Sequence, residues 1–263
     1  MSEQAGMLLA TGILLVWALT SIVLAEISYR RAETAKRQQE QFTADISHDL
    51  RTPTAALRTL LEVSQLDPKL KSHTPSQEVF TRALAQVDSI TTLTGKLLRL
   101  SQLETTATPR LEPAKLQSIL TKVCAQLEPL AKKKRQTIAI TSSQTLNVYA
   151  VPDELAQLLV ILLDNAIKFS PQKSAIHITA TEQRSHVTLS IRDAGAGLTP
   201  QEQKHIFDRF YRTDSARQKA GTTSGFGLGL AIAAAVATRH KSKIIVTSTP
   251  GNGAVFSIRL KRA

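Results

Sequence analysis

Between Ala5 and Ala25 the chain runs 21 residues without a charge, and Leu, Ile, Val and Ala dominate the run. As a helix it would be roughly 31 Å long, about the thickness of one hydrocarbon core. No lysine or arginine precedes it, whereas Arg30, Arg31, Lys36 and Arg37 follow it. The positive-inside rule then puts the C-terminal side in the cytoplasm. A cleaved leader is the rival reading, since Val23-Leu24-Ala25 offers small or branched residues to a peptidase. Against it stand the absent basic residues ahead of the run and the run's length. The expectation is a single-pass transmembrane helix with its juxtamembrane segment in residues 1–39, and too few residues outside the membrane to fold an input domain.

The remainder can bury a core, because 42% of the 263 residues are hydrophobic, enough for one or two domains. Cys124 is the lone cysteine, so no disulfide can form within the chain, in keeping with a reduced compartment. The formal net charge of +12 is uneven: Lys+Arg against Asp+Glu stand at 4 and 4 in residues 1–40, 7 and 7 in 41–104, and 22 and 10 in 105–263. A basic domain suits nucleic acid, an anionic leaflet, an acidic protein or a polyphosphate, and charge alone does not choose. No aromatic–basic interleaving or recognition-helix pattern accompanies it, so no nucleic acid is expected as a partner. The run Lys132-Lys133-Lys134-Arg135 reads as a solvated helix end.

Phe42, Ile46, Leu50, Leu57 and Leu61 recur near a helical period until Asp67-Pro68 breaks it. Thr74-Pro75-Ser76-Gln77 then supplies an N-cap, a first-turn proline and a capping-box partner. The stripe Phe80, Ala83, Leu84, Val87, Ile90, Leu97 and Leu98 follows. These two helices predict an antiparallel hairpin over residues 40–108. One hairpin cannot cover its own apolar stripes, so a homodimeric four-helix bundle is expected. After Thr105–Pro113 the texture becomes mixed, and residues 109–263 predict an α+β sandwich with helices on one face of a mixed sheet. Its expected helices span Pro113–Lys132, a segment ending at Phe169, and Leu228–Thr238; its strands span Thr137–Thr141, Leu146–Ala150 and the alternating runs around Ile178, Leu189 and Ile258.

Four constellations carry chemistry. His48 lies two residues from Ile46 and from Leu50, hence about 160° from either on a helix, pointing away from the core. Thr52 is one turn on, where its hydroxyl could hold a water; Asp49 could orient or deprotonate the imidazole. Pro53 predicts a bend, and a kinked helix with no role is the bland alternative. Second, Asp193 continues the parity of Val187, Leu189 and Ile191, which costs energy unless a donor such as a purine amine meets its carboxylate. Third, Gly225-Phe226-Gly227-Leu228-Gly229-Leu230 stands at a helix start, where backbone N–H groups favour phosphate; a hinge or tight helix packing is the alternative. Fourth, Asn165 and Lys168 share one flank of an apolar helix. The asparagine oxygen suits Mg²⁺ and the lysine a phosphate, though either could be a plain exposed residue. No Walker A pattern and no protein-kinase H-R-D or D-F-G signature is present.

In order, the chain carries Phe42–Pro53, Leu162–Ser170, Asp193–Gly197, Ile206-Phe207-Asp208-Arg209-Phe210-Tyr211-Arg212 and Gly225–Leu230. This series resembles the H box, N box, first G box, F box and second G box of bacterial two-component sensor histidine kinases. The resemblance implies a dimeric histidine phosphotransfer bundle followed by a Bergerat-type ATP-binding domain, with ATP and Mg²⁺ as cofactors, a response regulator as partner and the bacterial inner membrane as location. It makes His48 the phosphoacceptor, Asp49 its base or orienter, and Thr52 the residue that positions water for phosphatase activity. It gives Asn165 the Mg²⁺ on ATP, Lys168 a phosphate, Phe169 the nucleotide pocket and Asp193 the adenine amine. Gly195, Gly197, Gly225, Gly227 and Gly229 would shape a mobile lid, and Arg209 and Arg212 would serve phosphate or the lid's contact with the bundle. Ile161 departs from the family, which usually has a second asparagine there. The implied activity is ATP-dependent phosphorylation of His48 and transfer to an aspartate of the regulator; a pseudokinase scaffold or phosphatase-only member is the alternative.

Overall fold

The computed structural model describes residues 54–59, 62, 77–142, 146–214 and 225–263. The uncharged run Ala5–Ala25 lies outside the described residues, and among those described no helix is long and apolar enough to cross a membrane. Two compact units divide the chain, Met1–Val79 and Phe80–Ala263. Within the first, residues 54–59 are helical, and Arg58 pairs with Glu62 one turn on at 2.6 Å.

Helix α1 spans Gln77–Thr105, roughly 43 Å of continuous helix. From Phe80 onward it belongs to the second unit. Its apolar residues divide between two faces, and the stripe read from the sequence leaves out the buried one. Leu93, Leu100 and Leu103 are buried, at helical spacing, whereas Leu84, Val87 and Leu98 are exposed. The exposed set falls on the 3–4 spacing of a helix–helix seam, with Thr91 and Thr94 between its apolar members.

Strand β1, Glu112–Lys115, precedes helix α2, Leu116–Lys133. The sequence places the helix start at Pro113, and the structure corrects it: Pro113 sits in β1, opposite Tyr149 of β3, Asn147–Ala150. Among the described residues β1 pairs with β3 alone, and such an edge position tolerates a residue without an N–H. β2, Thr137–Thr141, lies between α2 and β3 in the chain. Helix α3, Pro152–Phe169, opens on proline with Asp153 and Glu154 in its first turn, the charges a helix N-terminus favours.

β4, Ala175–Glu182, and β5, His186–Arg192, form a hairpin. Helix α4, Pro200–His205, opens with a capping box in which Thr199 accepts from the Glu202 N–H while Glu202 accepts from the Thr199 N–H. Helix α5, Gly229–Arg239, is followed by β6, Ile244–Ser248, and β7, Ala254–Lys261. β6 and α4 were not anticipated from the sequence. The sheet order is β2-β4-β5-β7-β6, parallel between β2 and β4 and antiparallel elsewhere, a mixed sheet as expected.

Alternation decides which face is covered. Ile176, Ile178, Val187, Leu189, Ile191, Phe256, Ile258 and Leu260 are buried beneath α2, α3 and α5, while the residues between them are polar. On that other face the hydroxyls of Ser190 and Ser257, opposite each other in register, lie 2.9 Å apart.

Candidate functional site

Asp193 directly follows β5 with the parity of Val187, Leu189 and Ile191, so its carboxyl arrives at the helix-covered side of the sheet. The structure supplies two donors. Oδ1 accepts from the Gly195 N–H at 2.8 Å and from the Ala254 N–H at 3.1 Å, and neither bond falls on Oδ2. Burial pushes the carboxyl above its usual range, and the two N–H groups pull it partly back. The second donor is the first residue of β7, brought in by the β6–β7 turn, a support that sequence reasoning missed. Gly253 has φ +70°, and a Cβ there would stand 2.2 Å from the Asp193 carbonyl oxygen. Only glycine lets this turn approach. The Pro250-Gly251-Asn252-Gly253 punctuation was the available signal.

The turn after Asp193 meets the end of α3. The Ala194 N–H donates to Ser170 Oγ at 3.1 Å, and Gly195 lies so close that a Cβ would be 3.2 Å from the Phe169 carbonyl oxygen. Phe169, whose backbone adjoins the Asp193 turn, is itself 47% exposed, a large ring that is not packed away. Asn165 is half-buried on the same helix. Lys168 is paired with Asp164 at 2.6 Å across one turn.

The glycine-led segment closes the third side. Gly227 has φ +70°, and a Cβ there would fall 2.5 Å from the Phe210 carbonyl carbon; the Gly227 carbonyl accepts from the Phe210 N–H at 3.1 Å. Leu228 precedes α5 and gives it no side-chain cap, so the first-turn N–H groups of α5 have no side-chain acceptor from that position. Gly229 stands over α3, with its Cβ position 3.4 Å from Ile161 Cγ2. Ile161, where a second asparagine was looked for, makes an apolar contact between the two helices. Gly197 turns with φ +73°, while a Cβ at Gly225 would meet nothing within 4 Å.

Arg209 forms an ion pair with Glu104 of α1, and Arg212 is half-buried in the same segment. A second tie to α1 was not legible in the sequence. Arg239, at the end of α5, pairs with Glu154 at 3.1 Å and donates to the carbonyls of Leu103, Thr106 and Ala107. The structure thus brings together Asn165, Lys168, Phe169, Asp193, Gly195 and, through Ile161, Gly229. His48, Asp49 and Thr52 lie outside the described residues. Among the described residues no cluster of three or more His, Cys, Asp or Glu could hold a metal ion. Asn165 offers a neutral oxygen, which fits Mg²⁺ if substrate phosphates and water supply the rest.

These are the parts of a sheet-based ATPase domain attached to a phosphotransfer helix. Residues 150–263 match the family described as histidine kinase-, DNA gyrase B-, and HSP90-like ATPase, and residues 38–106 match the His Kinase A (phospho-acceptor) domain. The chain thus carries, in order, the two domains whose matches support a two-component sensor histidine kinase. It is 30% identical over 236 residues to the sensor-like histidine kinase SenX3 of Mycobacterium tuberculosis, covering 88% of this chain and 55% of that protein. Among solved structures it resembles full-length ShkA in complex with AMPPNP, with TM-score 0.61 and 28% identity, covering 84% of this chain and 46% of that one. It shares its fold with histidine kinase ThkA in complex with response regulator protein TrrA, with TM-score 0.67 and 19% identity over 85% of this chain and 61% of that one. The chain spans about half the length of the curated relatives it matches.

Proposed function

We propose that this chain is a membrane-anchored sensor histidine kinase that phosphorylates His48 from ATP, passes the phosphoryl group to an aspartate of a response regulator, and also dephosphorylates that regulator. Residues 1–39 anchor it in the bacterial inner membrane, 40–108 dimerise and carry the phosphoacceptor, and 109–263 bind ATP. The observation that carries this reading is the Asp193 carboxylate, fixed through Oδ1 by two backbone N–H groups with Oδ2 left over. An adenine amine is a donor of the right kind for that oxygen. Phe169, Gly195 and Gly197 line the base. Lys168 exchanges Asp164 for a phosphate, and the α5 N-terminus at Gly225, Gly227 and Gly229 faces the phosphates. Asn165 would hold Mg²⁺, whose charge neutralises the transferring group. Arg209 and Arg212 serve the contact with the bundle, a role favoured for Arg209 by its pairing with Glu104.

His48 Nε2 attacks the terminal phosphorus in line as the bond to the bridging oxygen breaks, ADP leaves, and Asp49 orients the ring or takes its proton. Thr52 holds the water that hydrolyses the regulator's aspartyl phosphate, freeing the carboxylate and inorganic phosphate. The exposed seam of Leu84, Val87 and Leu98 supports a second copy as partner, because an apolar stripe of that spacing is stabilised by burial against its equivalent.

Ile161 favours a second reading. Its side chain packs under Gly229 and cannot ligate metal, as a pseudokinase scaffold or phosphatase-only protein would tolerate. Incubating the chain with γ-labelled ATP and Mg²⁺ separates the two. Acid-labile label that disappears in His48→Gln supports kinase activity; nucleotide binding without label supports the second reading; no nucleotide retention sinks both.

A further inference from the structure

The basic run at the end of α2 takes part in none of these steps. Lys132, Lys133 and Arg135 are exposed, and Lys132 pairs with Glu128 within its own helix at 2.9 Å. Lys134 differs. It is half-buried, and its Nζ lies 2.8 Å from the Ile167 carbonyl oxygen, 2.7 Å from that of Lys168 and 3.4 Å from that of Ser170. Two residues on, Gln136 is 5% exposed, and its Nε2 donates to the carbonyls of Ile167, Ser170 and Pro171 at 3.2, 3.1 and 2.9 Å.

Those carbonyls belong to the end of α3, where a helix leaves its last four oxygens without intrahelical donors. An ammonium there also meets the negative end of the helix dipole. The connector that delivers it is itself fixed. Arg135 takes φ 53°, the N–H groups of Lys134, Arg135 and Gln136 return to the last carbonyls of α2, and the Lys134 carbonyl accepts from the Lys173 N–H at 3.0 Å. On its far side the same end of α3 meets the Asp193 turn, through Ser170 Oγ on the Ala194 N–H and the Phe169 carbonyl beside Gly195.

We infer that Lys134 and Gln136 are positioning residues of the nucleotide site: by holding the carbonyl end of α3 they set where Lys168 and Phe169 stand relative to Asp193. Neither touches the nucleotide. The inference rests on the ATP reading above and adds to it the residues that fix the distance between the purine-recognising carboxylate and the helix that faces it. The run read as a solvated helix end thus contains one lysine with a different task.

The test measures binding of a fluorescent ATP analogue, and its displacement by ATP and by GTP, on the full chain. Lys134→Met and Gln136→Leu should each weaken ATP by roughly fivefold or more, the equivalent of a lost hydrogen bond. They should also narrow the preference for ATP over GTP, since Asp193 would no longer be in register with Phe169. Lys134→Arg should retain both, and Lys133→Met should change neither. A merely structural role would lower the urea midpoint and leave affinity and purine preference of the folded protein at wild-type values; that result overturns the inference. If Lys134→Met does not fold, Lys134→Gln, which keeps N–H donors without the charge, is read by the same two outcomes. Wild-type protein that binds no nucleotide defeats the ATP reading itself, whereas wild-type binding with unaffected variants defeats this inference alone.

Discussion

Replacing Arg239 by leucine tests how the ATPase domain is held to α1. The guanidinium forks onto both oxygens of Glu154 at 3.2 Å from Nε and reaches the carbonyls of Leu103 in the last turn of α1 and of Thr106 and Ala107 just beyond it. Both side chains of the pair are 10% exposed, so removing Arg239 strands a carboxylate that water hardly reaches. Breaking such a pair costs about 3–5 kcal/mol. Arg99, whose guanidinium is 4.0 Å from Glu154 Oε1, can compensate in part, and solvent can take over the α1 carbonyls, which puts the cost near the lower end, about 3 kcal/mol. For a unit of this size that corresponds to a fall in Tm of roughly 6–12 °C. The assay is thermal unfolding followed by near-ultraviolet absorbance and, separately, by calorimetry. The double variant Glu154→Leu/Arg239→Leu should recover most of the loss, because apolar groups of similar volume replace a buried pair at little cost. An Arg239→Leu protein within about 2 °C of wild type, or a double variant as unstable as the single one, refutes the reasoning.

Three further outcomes follow from the same structure. Asp193→Asn retains an oxygen for the Gly195 and Ala254 N–H groups but turns an N–H toward the adenine amine; equilibrium dialysis should find ATP affinity reduced about 10- to 150-fold, the value of a charge-assisted hydrogen bond, with the fold intact. Because burial raises the Asp193 carboxyl in the folded state, the folded chain binds that proton more tightly than the unfolded one, so this group's contribution to stability falls as pH rises between the two values. Urea midpoints measured across that interval should lose that slope in Asp193→Asn, and an unchanged slope contradicts the assignment. His240 accepts from the Val151 N–H through Nε2 at 3.1 Å while Nδ1 faces the Val236 carbonyl at 2.9 Å, so His240→Leu should cost about 1–3 kcal/mol by leaving that N–H unpaired, seen as a lower urea midpoint and faster exchange of the Val151 amide.

The order of the motifs and the periodicity of the long segments were readable because each depends on local rules. Apolar residues at helical spacing gave α3, alternation gave β4, β5 and β7, and Asp193 stood out as a charge on an apolar parity. What local rules do not contain is which residue sits opposite which. β1 was misread as helix because its strand character comes from pairing with β3, more than 30 residues on. β6 has the apolar pair Ile244-Ile245 but is defined by its place beside β7. The two faces of α1 could not be separated, since a leucine buried against another element and one awaiting a partner follow the same spacing.

The sequence by itself determined the family, the likeness of its five motifs, and which side chains have the chemistry to meet a nucleotide, because these are properties of residue type and order. Only the tertiary structure decided that Ala254, brought close by the turn at Gly253, fixes the Asp193 carboxylate, that Lys134 and Gln136 close the end of α3, and that Arg239 ties α5 to α1. Those are meetings between residues tens of positions apart, and a hydrogen bond or ion pair is set by distance in space, which chain order does not encode.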